Sequence, residues 1–353
     1  MSNSFSHIFT ESDFLKMWGV SSSFQPLVLI RCNTYNHEKY IEDAIKGFLS
    51  QITTFPFKIQ IHDDASSDST QEIIQKYWKE YPHIIIPIFE KTNLYSKHDG
   101  SLNKAITNNK EGKYIALCEG DDYWVDCNKL EEQVRFLEKN PDFTMCFSNG
   151  FVEDQRKNPI VREDFFKINA FGSLGDSFAT NQIIDFNNAN IISFPPTASF
   201  VFRKSVEEKY NNLVPLCPKG DMRLRMMSLI DGKTFYMCKP TCVYRTNVGV
   251  SVTSNWKRLS RSNFNKVFGD VLLMLDAIDE ISDHLFSEGI YKIKKPNCEG
   301  LLLTSNSFKV LKNKDVKRAY KEMSFGSKIK CIIGIIIPNR IIDFSKMLFH
   351  KKH

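Results

Sequence analysis

Apolar positions in the first 150 residues switch repeatedly between strand-length runs and helical spacing. Residues 27–32 form a short, nearly unbroken apolar run, which predicts a buried strand. From 38 to 49, Tyr40, Ile41, Ala44, Ile45, Phe48 and Leu49 recur at helical spacing. Phe57, Ile59 and Ile61 alternate and predict a second strand. Ser67-Asp68-Ser69-Thr70 then offers helix caps before Ile73, Ile74, Tyr77 and Trp78. Residues 84–89 predict a third strand and 113–118 a fourth, with a helix over 100–109 between them. A helix over 128–138, with Leu130, Val134 and Leu137 on one face, precedes a strand over 143–147. Strands alternating with helices at this spacing predict an α/β fold built on a mostly parallel sheet.

The pattern loosens from 150 to about 190, a stretch rich in Asn, Phe and Asp that reads as an insertion or a lid. Strands are predicted again over 199–203, 234–237 and 241–244, and helices over 221–229 and 265–281. No internal repeat is visible. The expected organisation is an N-terminal extension over 1–25, a body over 26–256 with halves meeting at 150/151, and a helical, basic extension over 257–353.

Charge sharpens that division. The chain carries 47 Lys plus Arg against 41 Asp plus Glu, a net +6. Residues 286–353 hold 15 basic and 5 acidic residues, which leaves 32 basic against 36 acidic before them. A slightly acidic body argues against a nucleic-acid partner. The tail alternates Lys328, Lys330, Arg340, Lys346, Lys351 and Lys352 with apolar residues at 332–337, 341, 342, 344, 347 and 348. It reads either as a solvated helical extension or oligomer contact, or as a segment docking on an anionic membrane surface. The longest apolar run, 331–337, is far short of the roughly 20 residues a spanning helix needs. The first ten residues lack a basic cluster and an apolar core, so no secretory leader is expected. Nine scattered cysteines then read as reduced thiols of a cytoplasmic protein. Cys238 and Cys242 are the one close pair, and nothing in the sequence completes a zinc site around them.

In parallel α/β sheets ligands bind beyond the carboxyl ends of the strands. Three polar clusters occupy those ends: Asn33-Thr34-Tyr35-Asn36, His62-Asp63-Asp64-Ala65-Ser66-Ser67-Asp68, and Glu119-Gly120-Asp121-Asp122-Tyr123-Trp124. Three carboxylates within Glu119–Asp122 repel one another unless solvent or a cation compensates. Their apolar flanks favour a hard divalent cation, Mg²⁺ or Mn²⁺, on oxygen ligands. The plainer reading is an acidic turn capping the next helix. Asp63-Asp64 exceeds what a helix cap at Asp68 or Ser67 requires, and suits hydrogen bonds from a nucleobase or ribose. Cation and nucleotide together point to a nucleotide diphosphate. Neither a P-loop nor a G-x-G-x-x-G fingerprint is present, which disfavours P-loop NTPases and dinucleotide dehydrogenases.

With residues 32–36, 63–70, 112–124 and 129–137 in this order, the sequence resembles the family 2 glycosyltransferases over about 26–256. The resemblance implies a GT-A fold with a nucleotide-sugar half over 26–150 and an acceptor half over 151–256. It implies an inverting enzyme of the bacterial polysaccharide type. The sugar would pass from a nucleotide diphosphate sugar to a hydroxyl of a growing surface polysaccharide or lipid-linked glycan, on the inner face of the cytoplasmic membrane. By the same resemblance Thr34 and Tyr35 line the nucleotide pocket, Asp63 faces the base with Asp64 beside it, and Asp121 lies near the ribose. Asp122 holds the metal, and Glu119 stands where the family more often has Asp. Lys91, Asn93 and Gly100 match the stretch before the metal strand.

Lys219-Gly220-Asp221-Met222-Arg223-Leu224 resembles the segment bearing the catalytic base, which makes Asp221 the candidate to take the acceptor proton. Its plainer role is a helix N-cap. Arg245 has the planar fork that suits diphosphate oxygens, or it forms a salt bridge that holds its strand. Asn247 stands where the family often has a metal-binding His. His37 and His62 flank the nucleotide pocket and are given no role. Two other readings are a nucleotidyltransferase, which needs a Gly-rich basic loop where Asn33–His37 stands, and a non-catalytic partner subunit that keeps the fold.

Overall fold

The computed structural model describes residues 7–169, 178–192, 194–249 and 260–336. Their contacts divide the chain into two units. One lies within Met1–Ile184, Ile192–Lys209 and Asp231–Val248, the other within Asp185–Ile191, Tyr210–Ile230 and Gly249–His353. The division therefore assigns 210–230, with Asp221, to the same unit as the C-terminal helices.

Among the described residues the first unit is built on a ten-stranded sheet. Its opening strands are β1 (Val28–Thr34), β2 (Phe57–Asp63), β3 (Ile85–Phe89) and β4 (Tyr114–Leu117). They pair in parallel in the order β3-β2-β1-β4. The intervening helices are α2 (Ile41–Leu49), α3 (Thr70–Glu80) and α4 (Ser101–Ile106), which follow α1 (Glu11–Trp18). Both faces of β1 and β2 are buried, which is why the first strand reads as a nearly unbroken apolar run. Ile41, Ala44, Ile45, Phe48 and Leu49 of α2 are fully buried, on the face that the helical spacing marks.

The expected mostly parallel sheet is present, and beyond β4 short antiparallel strands join it. The remaining strands are β5 (Tyr123–Trp124), β6 (Phe143–Asp154), β7 (Arg162–Asp164), β8 (Gln182–Ile184), β9 (Val201–Arg203) and β10 (Lys233–Thr246). Short β9 runs antiparallel between β4 and β6, β10 is parallel to β6, and β5 is antiparallel to β10. The helices here are α5 (Lys129–Lys139), α6 (Phe165–Asn169) and α7 (Ser205–Tyr210). The strands expected over 234–237 and 241–244 are one strand, with register shifts on either side of Pro240. Proline donates nothing to the ladder, so the pairing slips there and the alternation breaks. Likewise β6 runs on to Asp154, past the polar Ser148 and Asn149 that hide its continuation in the sequence.

The N-terminal segment belongs to the core of this unit. Thr10 and Asp13 form a capping box on α1, and Gly19 ends the helix at φ 64°. Phe14 packs on Phe57 with ring centroids 5.2 Å apart, and the Trp18 indole N–H donates to Thr53 Oγ1 at 2.9 Å.

The second unit is helical, in keeping with the expected helical extension. It holds α8 (Gly220–Ile230), α9 (Arg261–Ile281), α10 (Ser287–Thr304), α11 (Lys314–Glu322) and α12 (Phe325–Ile336). Leu272, Cys298, Leu302, Val316, Ala319, Met323 and Cys331 form a core among them. The Arg261 guanidinium donates to the carbonyls of Leu303, Thr304 and Ser305, neutralising the C-terminal end of α10. Buried Lys294 joins Asp276 on α9 to Asp315 on α11. All nine cysteines are free. Among the described residues no helix is long and apolar enough to cross a membrane. The part of the basic tail from 337 to 353 lies outside the described residues.

Candidate active site

Parallel pairing brings the ends of β1, β2 and β4 to one edge. Thr34 and Asp63 are register partners, and the Asp64 N–H donates to the Thr34 carbonyl at 3.0 Å. On the other side the Gly120 N–H donates to the Asn33 carbonyl at 2.9 Å. The three polar clusters therefore adjoin one another. Gly120 permits the approach: a Cβ there would lie 2.6 Å from Thr34 Oγ1 and 2.7 Å from Thr34 Cβ.

The loops after β1 and β2 are laced together. Asn36, at φ 55°, takes the Ser67 N–H on its Oδ1 at 2.8 Å and donates its own N–H to Ser66 Oγ at 2.8 Å. The His37 N–H donates to Thr70 Oγ1, the Glu38 N–H to Asp68 Oδ2 and the Ser69 N–H to Glu38 Oε2. Asp68 also accepts from the Thr70 N–H at 3.0 Å, one residue ahead of the N-cap Ser69, whose own side chain makes no capping bond.

The Asp63-Asp64 pair is occupied by protein donors. Fully buried Asp63 accepts from the Ser66 N–H at 2.9 Å, the Ser66 hydroxyl at 2.5 Å and the Gln71 amide at 2.6 Å. Asp64 accepts from the backbone N–H groups of Leu94 and Tyr95 at 2.6 and 2.9 Å. Asp63 thus shapes its own loop, while Asp64 ties down the segment after β3. Thr34 is buried, and among the described residues its Oγ1 has no hydrogen-bond partner, nor has the buried Asn33 Oδ1. Buried polar atoms left without protein partners at a strand end suit a ligand site. Tyr35 stands exposed beside them.

The acidic cluster spans the connection between β4 and β5. Asp122 is 3% exposed, and its Oδ1 accepts the Arg245 N–H at 2.8 Å. Burial, then the charges of Asp121 and Glu119, push its carboxyl well above the usual carboxylate range. Asp121 is more open, with His37 Nε2 3.9 Å from its Oδ2. Among the described residues no group of three or more His, Cys, Asp and Glu side chains is arranged to hold a metal. The all-oxygen donors of Glu119, Asp121 and Asp122 nevertheless fit a hard cation that takes one or two carboxylates and fills its shell with phosphate oxygens and water.

Arg245 closes the arrangement from β10. Its side chain is 5% exposed and ion-paired with Asp43 of α2, and Nε lies 3.7 Å from Glu153 Oε2 on β6. Nη1 donates to the Asp121 carbonyl at 3.2 Å, and the guanidinium lies 4.2 Å from the centre of the Tyr123 ring. Asp43 and Glu153 carry no motif in the sequence; an acid in the first turn of a helix looks like an ordinary dipole-stabilising residue. Asn247, at φ 61°, donates to Asp154 Oδ1 at 2.8 Å.

Asp221 belongs to the second unit. It lies within the first turn of α8, which begins at Gly220, rather than just ahead of the helix as a cap would. Its charge counters the burial that lowers the Arg225 guanidinium to about 10 and also lowers the Lys219 ammonium.

Comparison with known proteins agrees with this geometry. The family model described as "Glycosyl transferase family 2" matches residues 33–210, half of the chain and all three strand-end clusters. A protein of Mycobacterium tuberculosis described as uncharacterized is 34% identical over 60% of this chain and 56% of its own length. The chain thus spans little more than half of that relative. The Escherichia coli protein named UDP-Glc:alpha-D-GlcNAc-diphosphoundecaprenol beta-1,3-glucosyltransferase WfaP is 29% identical over 74% of this chain and 96% of its own. The crystal structure of Staphylococcus aureus TarS 1–349 with UDP-GlcNAc matches with a TM-score of 0.60 at 17% identity, over 87% of this chain and 89% of that one. That likeness is one of fold, the GT-A arrangement expected from the motifs. With its strand-end clusters inside the matched region, the chain belongs to glycosyl transferase family 2.

Proposed function

We propose that this chain transfers a sugar, with inversion, from a nucleotide diphosphate sugar to a hydroxyl of a bacterial surface polysaccharide or lipid-linked glycan. The observation that carries the reading is Asp122. A carboxylate buried beside two other acids, at the ligand-binding edge of a parallel sheet, is poised for a cation-bound diphosphate. The names of relatives support the substrate class: WfaP is named for a UDP-Glc donor and a diphosphoundecaprenol-linked acceptor, and TarS is solved with UDP-GlcNAc.

In this reading Asp122, with Glu119 acting through water, holds Mg²⁺ or Mn²⁺. The chemistry supplied by such a cation, when bound, would be neutralisation of charge on the diphosphate leaving group. Thr34, Tyr35 and Asp121 face the nucleoside, and the Asp63 and Asp64 loops define the base pocket. Asp221 is the general base that takes the acceptor hydroxyl proton as that oxygen attacks the anomeric carbon opposite the leaving group. The basic tail brings the enzyme to an anionic membrane. Supporting this, exposed Phe325, Ile329, Ile332 and Ile333 of α12 lie among Lys321, Lys328 and Lys330.

A panel of UDP-, GDP- and dTDP-sugars, with product mass and anomeric configuration as readouts, tests the reading. Mn²⁺ or Mg²⁺ is expected to be required, and Asp221→Asn to lower turnover at least about 100-fold while nucleotide binding persists. Retained configuration in the product, or full turnover by Asp221→Asn, would overturn the mechanism.

A further inference from the structure

We infer that Arg245 and Asp43 act together as a positioning clamp for the Glu119–Asp122 loop, and that Arg245 serves the reaction from beneath the acids rather than by touching the diphosphate. The inference rests on the proposed function, since it concerns the same acids.

Arg245 grips the loop at three points. Its backbone N–H donates to Asp122 Oδ1 at 2.8 Å, its Nη1 donates to the Asp121 carbonyl at 3.2 Å, and its guanidinium lies over the Tyr123 ring. Each contact fixes a different part of the loop: one carboxylate, one peptide plane and the first residue of β5. The guanidinium is in turn held by parts of the scaffold distant in sequence. Asp43 of α2 pairs with Nη2, Glu153 of β6 lies near Nε, and the Tyr40 ring centre is 5.2 Å from the guanidinium carbon.

Glu153 is itself fixed. Its Oε1 accepts from the Tyr123 hydroxyl at 2.7 Å and from Arg162 Nε at 3.0 Å. Loop, helix and two strands therefore converge on one guanidinium with 5% of its side chain exposed. A planar fork engaged on several sides inside the protein has little surface left for a ligand, but through the Asp121 carbonyl and the Tyr123 ring it holds the backbone that carries the neighbouring carboxylates.

The geometry also explains why a helix that carries no motif matters. α2 packs against β5, where Gly47 leaves room for the Trp124 backbone; a Cβ there would lie 2.9 Å from the Trp124 carbonyl oxygen. Asp43, one turn earlier on that helix, transmits this fixed position to Arg245.

The test compares the full-length parent with Asp43→Asn and Arg245→Lys. Asp43→Asn keeps the side chain's shape and is the milder change should Arg245→Lys fold poorly. Hydrogen exchange of 119–124 is measured without donor or metal, with β2 as the internal reference. Both variants are expected to exchange at least about tenfold faster in 119–124 and unchanged in β2. Mn²⁺ binding is then followed by its EPR signal with UDP, GDP and dTDP in turn. The half-saturating Mn²⁺ is expected to rise about tenfold in both variants, while the maximal rate with an identified donor recovers to within a few-fold at saturating Mn²⁺. Unaltered exchange in Asp43→Asn overturns the clamp. So does a nucleotide affinity that falls in Arg245→Lys alone, with exchange and Mn²⁺ dependence unmoved, which marks a direct ligand. A parent that binds no Mn²⁺ with any nucleotide fails the proposed function instead, and the exchange result still judges the clamp.

Discussion

Asp122 takes its hydrogen bond from the backbone N–H of Arg245, 123 residues away along the chain. The most buried acid of the Glu119–Asp122 loop is therefore oriented by main chain, which a change of side chain at 245 does not remove. Its neighbours are acids, and its burial is unfavourable for a charge.

That relationship predicts opposite effects on activity and stability at position 122. Asn at this position keeps the acceptor for the Arg245 N–H and discards the charge. Asp122→Asn is expected to lose at least about 100-fold in turnover, since Asn is a poor ligand for a hard cation. In EDTA its thermal midpoint is expected to equal or exceed that of the parent, because a repelling charge has gone. Adding Mn²⁺ with the accepted nucleotide should raise the midpoint of the parent and leave that of the variant unmoved. A donor-turnover assay checks the first statement and differential scanning fluorimetry with and without EDTA the other two; equal stabilisation of both proteins by Mn²⁺ contradicts the metal role of Asp122.

Gly120 gives a steric prediction at the same loop. A Cβ would stand 2.6 Å from Thr34 Oγ1, 2.7 Å from Thr34 Cβ and 3.0 Å from Ile41 Cδ1. Two of these atoms lie close to a strand backbone, so relief requires the loop to move. Gly120→Ala is expected to cost about 1–3 kcal/mol in urea unfolding and to lower turnover. Thr34→Ala is not expected to rescue it, because the Thr34 Cβ clash persists. An unchanged urea midpoint would show that the loop has slack.

These positions divide into what the sequence displays and what it conceals. Thr34, Asp63 and Gly120 adjoin because strand–helix alternation determines which strand ends share an edge. That inference needs only periodicity. The antiparallel insertion of β9 leaves no such mark: three strand residues between longer elements carry too little period to reveal direction. Asp43 is concealed for another reason. Its partner Arg245 is 202 residues distant, and its own neighbourhood is that of any amphipathic helix. Likewise Asp63 and Asp64 look alike in sequence, and separate only once Ser66 and Gln71 are seen on one and Leu94 and Tyr95 on the other.

That separation is itself testable. Asp63→Ala leaves a backbone N–H, a hydroxyl and an amide of a half-buried loop without their acceptor, and is expected to cost about 2–3 kcal/mol. Asp64→Ala releases the backbone of Leu94 and Tyr95, and is expected to cost less while accelerating hydrogen exchange at 94 and 95. Chemical unfolding combined with exchange mass spectrometry distinguishes them. Equal stability losses, with no local exchange change for Asp64→Ala, would argue that the two acids share one role.

Lys129 supplies a prediction in pH. Its side chain is fully buried, with Nζ 4.3 Å from the centre of the Trp124 ring and donating to Gln133 Oε1 at 2.8 Å. Burial lowers its ammonium to about 8, from the ordinary value of 10.5. Between these values the unfolded chain keeps a proton that the folded protein has released. The free energy of unfolding contributed by this group therefore rises with pH across that window. Below pH 8 the buried charge costs on the order of 3 kcal/mol relative to an unshifted lysine. Lys129→Met fills similar space without the charge. Its stability advantage over the parent is expected to be greatest near pH 7 and to shrink steadily from about pH 8 upward, as the parent sheds its proton. Urea unfolding of both proteins at pH 7.5, 8.5 and 9.5 measures the gap directly. A gap that stays constant or widens with pH would mean that Lys129 remains protonated in the folded protein, held by Gln133 and the Trp124 ring.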